Sequence, residues 1–360
     1  MKRYKLKELS LSKLEYGSGA AACEYDGKTR YVRITDIDNE GNLGTDVVSP
    51  NSVDDKYLLN DGDVLFARTG ATVGKTYLYR SSAGRCIYAG FLIRVVPNQE
   101  IIRPDYLYYF TKSPQYKGFI QSSMKVVAQP NINAKQYGDL EFNVPSLEEQ
   151  DLIIKKLNAI SSAIILRRTE LIRLDELIKA RFVEMFGDIN INDKGWTIQP
   201  LGELCTIVRG GSPRPIEQFL GGDVPWIKIG DATEGESIYL HSTKEHIIQE
   251  GVKKSRLVKS GSLIFANCGV SLGFARIIKF DGCIHDGWLA MEDIDERIDK
   301  VFLLQSLNQM TEHFRTIAPA GTQPNLNTAI MKAYKQIIPP MELQKQYIDF
   351  VAQTDKSKFP

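Results

Sequence analysis

The chain repeats itself. Leu6-x-Glu8-Leu9 returns as Leu201-x-Glu203-Leu204, and Val32-Arg33-Ile34-Thr35-Asp36 returns as Ile227-Lys228-Ile229-Gly230-Asp231. Leu59-x-x-Gly62-Asp63-Val64-Leu65-Phe66-Ala67-x-x-Gly70-x-x-x-Gly74 returns as Val258-x-x-Gly261-Ser262-Leu263-Ile264-Phe265-Ala266-x-x-Gly269-x-x-x-Gly273. Gly90-Phe91-Leu92 aligns with Gly287-Trp288-Leu289, and Gln129-Pro130-Asn131-Ile132-Asn133 with Gln323-Pro324-Asn325-Leu326-Asn327. Finally, Pro145-x-x-Glu148-x-Gln150 aligns with Pro339-x-x-Glu342-x-Gln344. Six blocks in one order constrain the fold more than any composition: whatever residues 1–146 form, residues 188–340 form again.

Between the copies lies Pro145–Gly187, which contains no Pro or Gly from Ser146 to Phe186. Ser146 with Glu149 has capping-box spacing, and Gly187 is a natural helix stop. Leu157, Ile164, Leu171, Ile178 and Met185 recur every seven residues, with Ile160 and Leu174 beside them. That is a seam wanting a partner helix, interrupted by Arg167 and Arg181. Forty residues of helix would reach about 60 Å, so a rigid spacer is expected over 147–187. A second helix over 341–360 is expected to supply the partner, through Tyr347 and Val351. By the repeat offset it falls about twenty residues short of the first. Leu171, Ile178 and Met185 are then expected to stay exposed, or to be covered by another subunit or by self-association of the unpaired part.

Each copy reads as short strands and loops with a few helices, an α+β domain with a largely antiparallel or mixed sheet. The 360 residues suffice for two such cores. The sequence shows no run of 18 apolar residues, so no membrane association is expected. Five scattered cysteines without CxxC spacing fit reduced thiols in a cytoplasmic protein. A net charge of +1 does not by itself point to nucleic acid, since a basic face can be balanced elsewhere.

No catalytic or metal site is expected. Gly70-Ala71-Thr72-Val73-Gly74-Lys75-Thr76 resembles a phosphate loop but has three residues between its glycines, where the motif needs four. A strand rather than a helix follows, so a hairpin turn is expected there. The four histidines lack metal spacing. His285-Asp286 is expected to be local structure rather than an acid–base pair. What remains is polar loop chemistry. Arg68, Thr69 and Lys75 share one glycine-rich loop, and Asn267 and Arg276 its counterpart. Lys125 precedes Gln129 and Asn131; Gln323 and Asn325 repeat that block. Arg209, Ser212 and Arg214 form another basic loop, and Lys228 ends a strand. Such side chains reach base edges and phosphates, so these fourteen are the candidate DNA-binding residues.

The Gly62–Gly70 block and its Gly261–Gly269 copy, the two Gln-Pro-Asn blocks, the Pro-x-x-Glu-x-Gln helix starts and Phe182-Val183-Glu184-Met185-Phe186-Gly187 together resemble the specificity subunit of type I restriction–modification enzymes. The resemblance spans essentially the whole chain. It implies two target-recognition domains, each reading one half of a split, asymmetric double-stranded DNA site. It also implies two long helices paired as an antiparallel coiled coil that sets the gap. The chemistry would belong to partners: two modification subunits methylating adenine with S-adenosylmethionine, and restriction subunits cutting DNA with ATP and Mg. No cofactor is expected in this chain. The alternative is a two-domain coiled-coil scaffold without DNA specificity.

Overall fold

The structure, a computed structural model, describes residues 1–124, 131–233, 235–269, 271–319 and 324–358. Its contacts divide the chain inside the long helix, into Met1–Leu166 and Arg167–Pro360.

In the first unit, Val64–Ala67 is the inner strand of an antiparallel sheet, flanked by Leu92–Val95 and Thr76–Leu78, with Glu15–Tyr16 at one edge. The strand is wholly buried, which explains its continuous apolar run. Arg30–Val32 pairs in parallel with Cys86–Tyr88, so the unit is mixed. The loop Gly70–Lys75 joins two antiparallel strands, as its sequence predicts, and Gly70 and Gly74 supply the positive φ its turns need (67° and 85°). Phe66, Tyr116 and Tyr137 anchor one core; Val32, Leu65 and Tyr88 anchor a second behind the sheet.

The second unit repeats this frame. Leu263–Ala266 lies between Trp288–Glu292 and Ala275–Ile278, with Thr206–Arg209 beyond the first and Tyr239–Leu240 beyond the second. Leu220–Ile227 pairs in parallel with Gly282–Ile284. Both units are closed by an antiparallel pair joining their ends: Lys2–Lys5 with Glu141–Val144, and Thr197–Pro200 with Lys335–Ile338.

The register corrects one alignment. Ala67 pairs with Leu92, and Ala266 pairs with Trp288. Leu92 therefore corresponds to Trp288, and Phe91 to Gly287 rather than to Trp288. The shared glycine letter misleads by one residue because the two turns use glycine at different places.

Gln150 and Gln344 explain the Pro-x-x-Glu-x-Gln blocks. Both are fully buried. The Gln150 amide donates to Ile101 O and Pro145 O, each at 2.9 Å, and accepts from Arg103 N–H at 2.8 Å. Gln344 does the same with Arg297 O, Pro339 O and Asp299 N–H, all at 2.8 Å. A buried amide with its donors and acceptor all paired is a specific lock, here fixing each helix start to the turn ahead of an earlier helix, Pro104–Phe110 and Lys300–Gln309.

The long helix spans Leu147–Phe186. Ser146 N–H donates to Glu149 Oε2 at 2.9 Å, and Glu149 N–H to Ser146 Oγ at 3.3 Å, the reciprocal cap expected. It stops at Gly187, φ 78°. Within the second unit, the C-terminal helix Met341–Lys356 packs antiparallel on its last half. The Tyr347 hydroxyl donates to Ile178 O at 3.3 Å, Arg181 lies 5.8 Å over the Phe350 ring, and Lys358 pairs with Asp175 at 2.7 Å. Arg167 donates to Ser357 O and Lys358 O at 3.1 and 2.7 Å, taking up carbonyls at the helix end. The two arginines that interrupt the seam thus serve the pairing.

This overturns the expectation that Leu171, Ile178 and Met185 lack a partner. Ile178, Tyr347 and Val351 are buried; Leu171, Leu174 and Met185 are half-buried. The repeat offset says which residues are alike, not which touch. Antiparallel packing brings the start of one helix against the end of the other. Conversely, Ile160 and Ile164, expected in the seam, are 55% and 49% exposed, and Leu157 is half-buried. The self-association expected through residues 171–185 loses its basis.

Candidate nucleic-acid interface

The strand Val64–Ala67 ends at Arg68, and Leu263–Ala266 ends at Asn267. Backbone bonds frame these two residues alike. Arg68 N–H donates to Phe91 O at 3.1 Å and its carbonyl accepts from Ile132 N–H at 2.8 Å. Asn267 N–H donates to Gly287 O at 2.9 Å and its carbonyl accepts from Leu326 N–H at 2.7 Å. Thr69 bridges to Asn131, and Cys268 to Asn325. The Gln-Pro-Asn segments therefore end beside the strand ends in both units. Two further elements join the corner, because Tyr16 pairs with Ile93 and Arg209 with Leu289. Four equivalent positions result: Tyr16 and Arg209, Arg68 and Asn267, Phe91 and Gly287, Asn131 and Asn325.

In the first unit the corner is aromatic and cationic. The Arg68 guanidinium lies 4.6 Å over the Tyr16 ring, and its Nε donates to Asn131 Oδ1 at 3.3 Å. Tyr16 is held in turn by Ala134 N–H, which donates to its hydroxyl at 3.0 Å. Such a cation–π contact contributes about 0.5–1 kcal/mol at an exposed site and pre-orients the guanidinium's remaining N–H groups. Phe91 is 58% exposed.

In the second unit the same corner is polar and acidic. Asn267 is fully buried, its amide donating to Asn325 Oδ1 and Leu326 O, each at 3.1 Å. It braces the loop rather than facing outward, against its place among the candidate readers. Gly287 leaves the aromatic out, and its neighbour Asp286 comes forward. Ser212 Oγ donates to Asp286 Oδ1 at 2.6 Å, Arg214 lies 3.7 Å from Oδ2, and Arg209 Nε donates to the Asp286 carbonyl at 3.0 Å. Burial opposes ionisation of Asp286, but Ser212, His285 and Arg214 outweigh it and hold the carboxyl below its usual range. Gly287 N–H donates to His285 Nδ1 at 2.6 Å, consistent with a local structural role for that histidine.

The other candidates divide. Thr69 is half-buried, its carbonyl taken by Thr72 Oγ1 at 2.9 Å. Lys75 donates to Ile37 O at 3.0 Å. Lys228 pairs with Glu245 and lies 5.7 Å over the Trp226 ring. Arg276 turns inward, donating to Ala275 O at 2.8 Å, and burial pushes its guanidinium down to about 10. Lys125, Gln129 and Gln323 lie outside the described residues. The sequence reading missed Tyr16, Phe91 and Asp286. An aromatic just ahead of a buried strand was the available signal for Phe91; Asp286 is brought to the basic loop only by the fold. Among the described residues, no cluster of His, Cys, Asp or Glu could hold a metal, and no helix is long and apolar enough to cross a membrane.

The family model for the type I restriction modification DNA specificity domain matches residues 4–176 and 193–359. Similar proteins include the type I restriction enzyme MjaVIII specificity subunit of Methanocaldococcus jannaschii, 21% identical over 314 residues, 81% of this chain and 71% of that protein. Another is the StySPI specificity subunit of Salmonella potsdam, 21% identical over 347 residues, 89% and 74% of the two chains. A chain solved in work on complex assembly and conformational transition of the type I R-M system shares the fold, with a TM-score of 0.60 at 18% identity over 99% of this chain and 90% of that one.

Proposed function

Because the chain belongs to the type I restriction modification DNA specificity family, we propose that its two units read the two unlike halves of one split, asymmetric duplex site, with the helices setting the unread gap. The observation that carries this is the pair of corners: one backbone frame holds different side chains at equivalent positions. A scaffold with two equivalent binding modules has no need for such divergence, whereas a reader of two different sequences does. In the first unit, Arg68 presents donors suited to guanine O6 and N7 and Phe91 an apolar face suited to a thymine methyl. In the second, Arg209 and Asp286 present a donor and an acceptor.

The chain itself performs no chemistry in this reading. Two modification subunits, using S-adenosylmethionine, methylate adenine at the site it selects. Restriction subunits, using ATP and Mg, cut the DNA. The gap depends on the helices as dimer spacing sets half-site separation in repressors. Inserting seven residues after Ser162, about 10 Å of helix, lengthens the tolerated gap by roughly 3 bp at 3.4 Å per nucleotide.

The test is reconstitution. Mixed with its modification subunits, the chain gives methylation of adenine within one bipartite sequence, and duplex binding that weakens linearly with log salt as counterions are released. A scaffold gives neither the sequence preference nor the slope.

A further inference from the structure

The loop that begins at the first unit's corner ends in a different setting. Lys75 reaches a cavity of about 300 Å³ that Lys112, Lys117, Gln121 and Asn39 also line. Lys117 and Gln121 sit four residues apart on the helix Pro114–Met124 and so share a face. Lys112 stands between this helix and the one before it, its ammonium 4.6 Å over the Tyr108 ring. Among the described residues, no ion pair within 4.0 Å holds Lys75, Lys112 or Lys117. Asp38 and Glu40 act on Lys112 only from farther away, and Asp38 is engaged by Asn42 N–H at 2.7 Å and by the Asn42 amide at 3.0 Å.

Three lysines line one cavity; Lys112 and Lys117 repel one another, and Lys75 spends one donor on Ile37 O at 3.0 Å, leaving its other N–H groups free for a ligand. Burial pushes the Lys112 ammonium below its usual value, more than Asp38 and Glu40 raise it, and Lys117 adds to the push. A part-buried cation without a direct ion pair is costly, so the arrangement is completed by an anion with several acceptor oxygens. The two amides at the rim add neutral donors. Its lining residues all belong to the first unit. Lys75 O accepts from Ala67 N–H at 2.9 Å and Phe274 O from Ala266 N–H at 2.8 Å, so the second unit carries phenylalanine where the first carries this lysine.

We propose that this cavity is a phosphate site, with Lys75, Lys112 and Lys117 holding the phosphate and Gln121 and Asn39 at its rim. The proposal rests on the DNA-reading assignment for its preferred source, a backbone phosphate. Arg68 and Lys75 bound one short loop, so a duplex read at the corner brings its backbone past the cavity. A free nucleotide offers the same chemistry.

The test uses the full chain and Lys112→Gln with Lys117→Gln. For a backbone phosphate, the slope of log affinity for duplex DNA against log salt becomes shallower by about 0.9, the value of one phosphate, with binding weakened alike on all sequences. For a free nucleotide, the DNA slope is unchanged, but ATP or inorganic phosphate raises Tm of the wild type and not of the variant. Unchanged slope together with no phosphate-dependent Tm difference overturns the site. Should the double variant not fold, Lys117→Gln alone, at an exposed position, gives the same readout. Wild-type protein without any salt-dependent duplex binding would contradict the DNA reading itself, and the phosphate arm would still decide the cavity.

Discussion

At one backbone position the first unit carries Phe91, 58% exposed, and the second carries Gly287. One residue away, the first has Gly90 and the second Asp286. The strands leading into this corner pair in the same register in both units, and their residues are almost all buried apolar side chains. The contrast separates two demands on one repeat. The sheet must pack, so its residues stay alike. The corner need only be framed by backbone bonds, so its side chains can diverge without cost to the fold. In this account the duplication supplies two copies of one support, and the divergence supplies two specificities.

The largest effect contrasts the two halves of the long helix. Phe182 and Phe186 are buried with Phe302 and Tyr347, ring centroids 4.9–5.8 Å apart. Phe182→Ala should cost about 3–5 kcal/mol, read as loss of the second unit's unfolding transition by denaturant. Ile164→Ala, at an exposed site, should stay within about 0.5 kcal/mol. Equal costs would break the distinction between a paired and an unpaired half. Next come the buried amides. Gln150→Ala and Gln344→Ala each strand buried polar partners and should cost about 1–3 kcal/mol. Because the bonds match, the two costs should agree within about 0.5 kcal/mol; a larger gap would show that the two locks are not equivalent.

The smallest effect is in acid. Leu9 O accepts from Asn98 N–H and Leu204 O from Asp295 N–H, so Asn98 and Asp295 are equivalent. The Arg297 side chain and then its N–H hold the Asp295 carboxyl down at about 2. A depressed carboxyl contributes stability that is present above its unfolded value near 3.8 and lost as pH falls through about 2. Asn98 does not titrate. Carboxyl NMR should therefore show a group titrating near 2 in the second unit's turn, abolished by Asp295→Asn, with no counterpart at Asn98. Titration of Asp295 at its ordinary value would contradict this.

Much of the architecture was legible in the sequence, because duplication and caps are local patterns. Ser146 with Glu149, Gly187, and the Gly70–Gly74 turn all act where the sequence puts them. The antiparallel pairing came from the family resemblance, but which residues of the two helices meet was not legible. A heptad marks which face is apolar but not which stretch of it the partner covers, and Phe182 and Phe186 sit off the marked positions on the same stripe. The corner was legible only in part. Arg68 and Asn131 could be found by residue type, but Asn267 has the same type as a reader and is buried as a brace. Phe91 and Asp286 needed the strand register, which one misplaced glycine in the alignment concealed.

The most direct measurement is a map of methylated adenines in a genome expressing this chain with its modification subunits, repeated for Arg68→Ala and for Asp286→Ala. Each good base contact carries about 1–3 kcal/mol of discrimination, roughly 5- to 150-fold. Arg68→Ala should relax one position of one half-site and Asp286→Ala one position of the other, with the gap unchanged in both. Relaxation of the same half-site by both substitutions, or an unaltered motif in both maps, would contradict it.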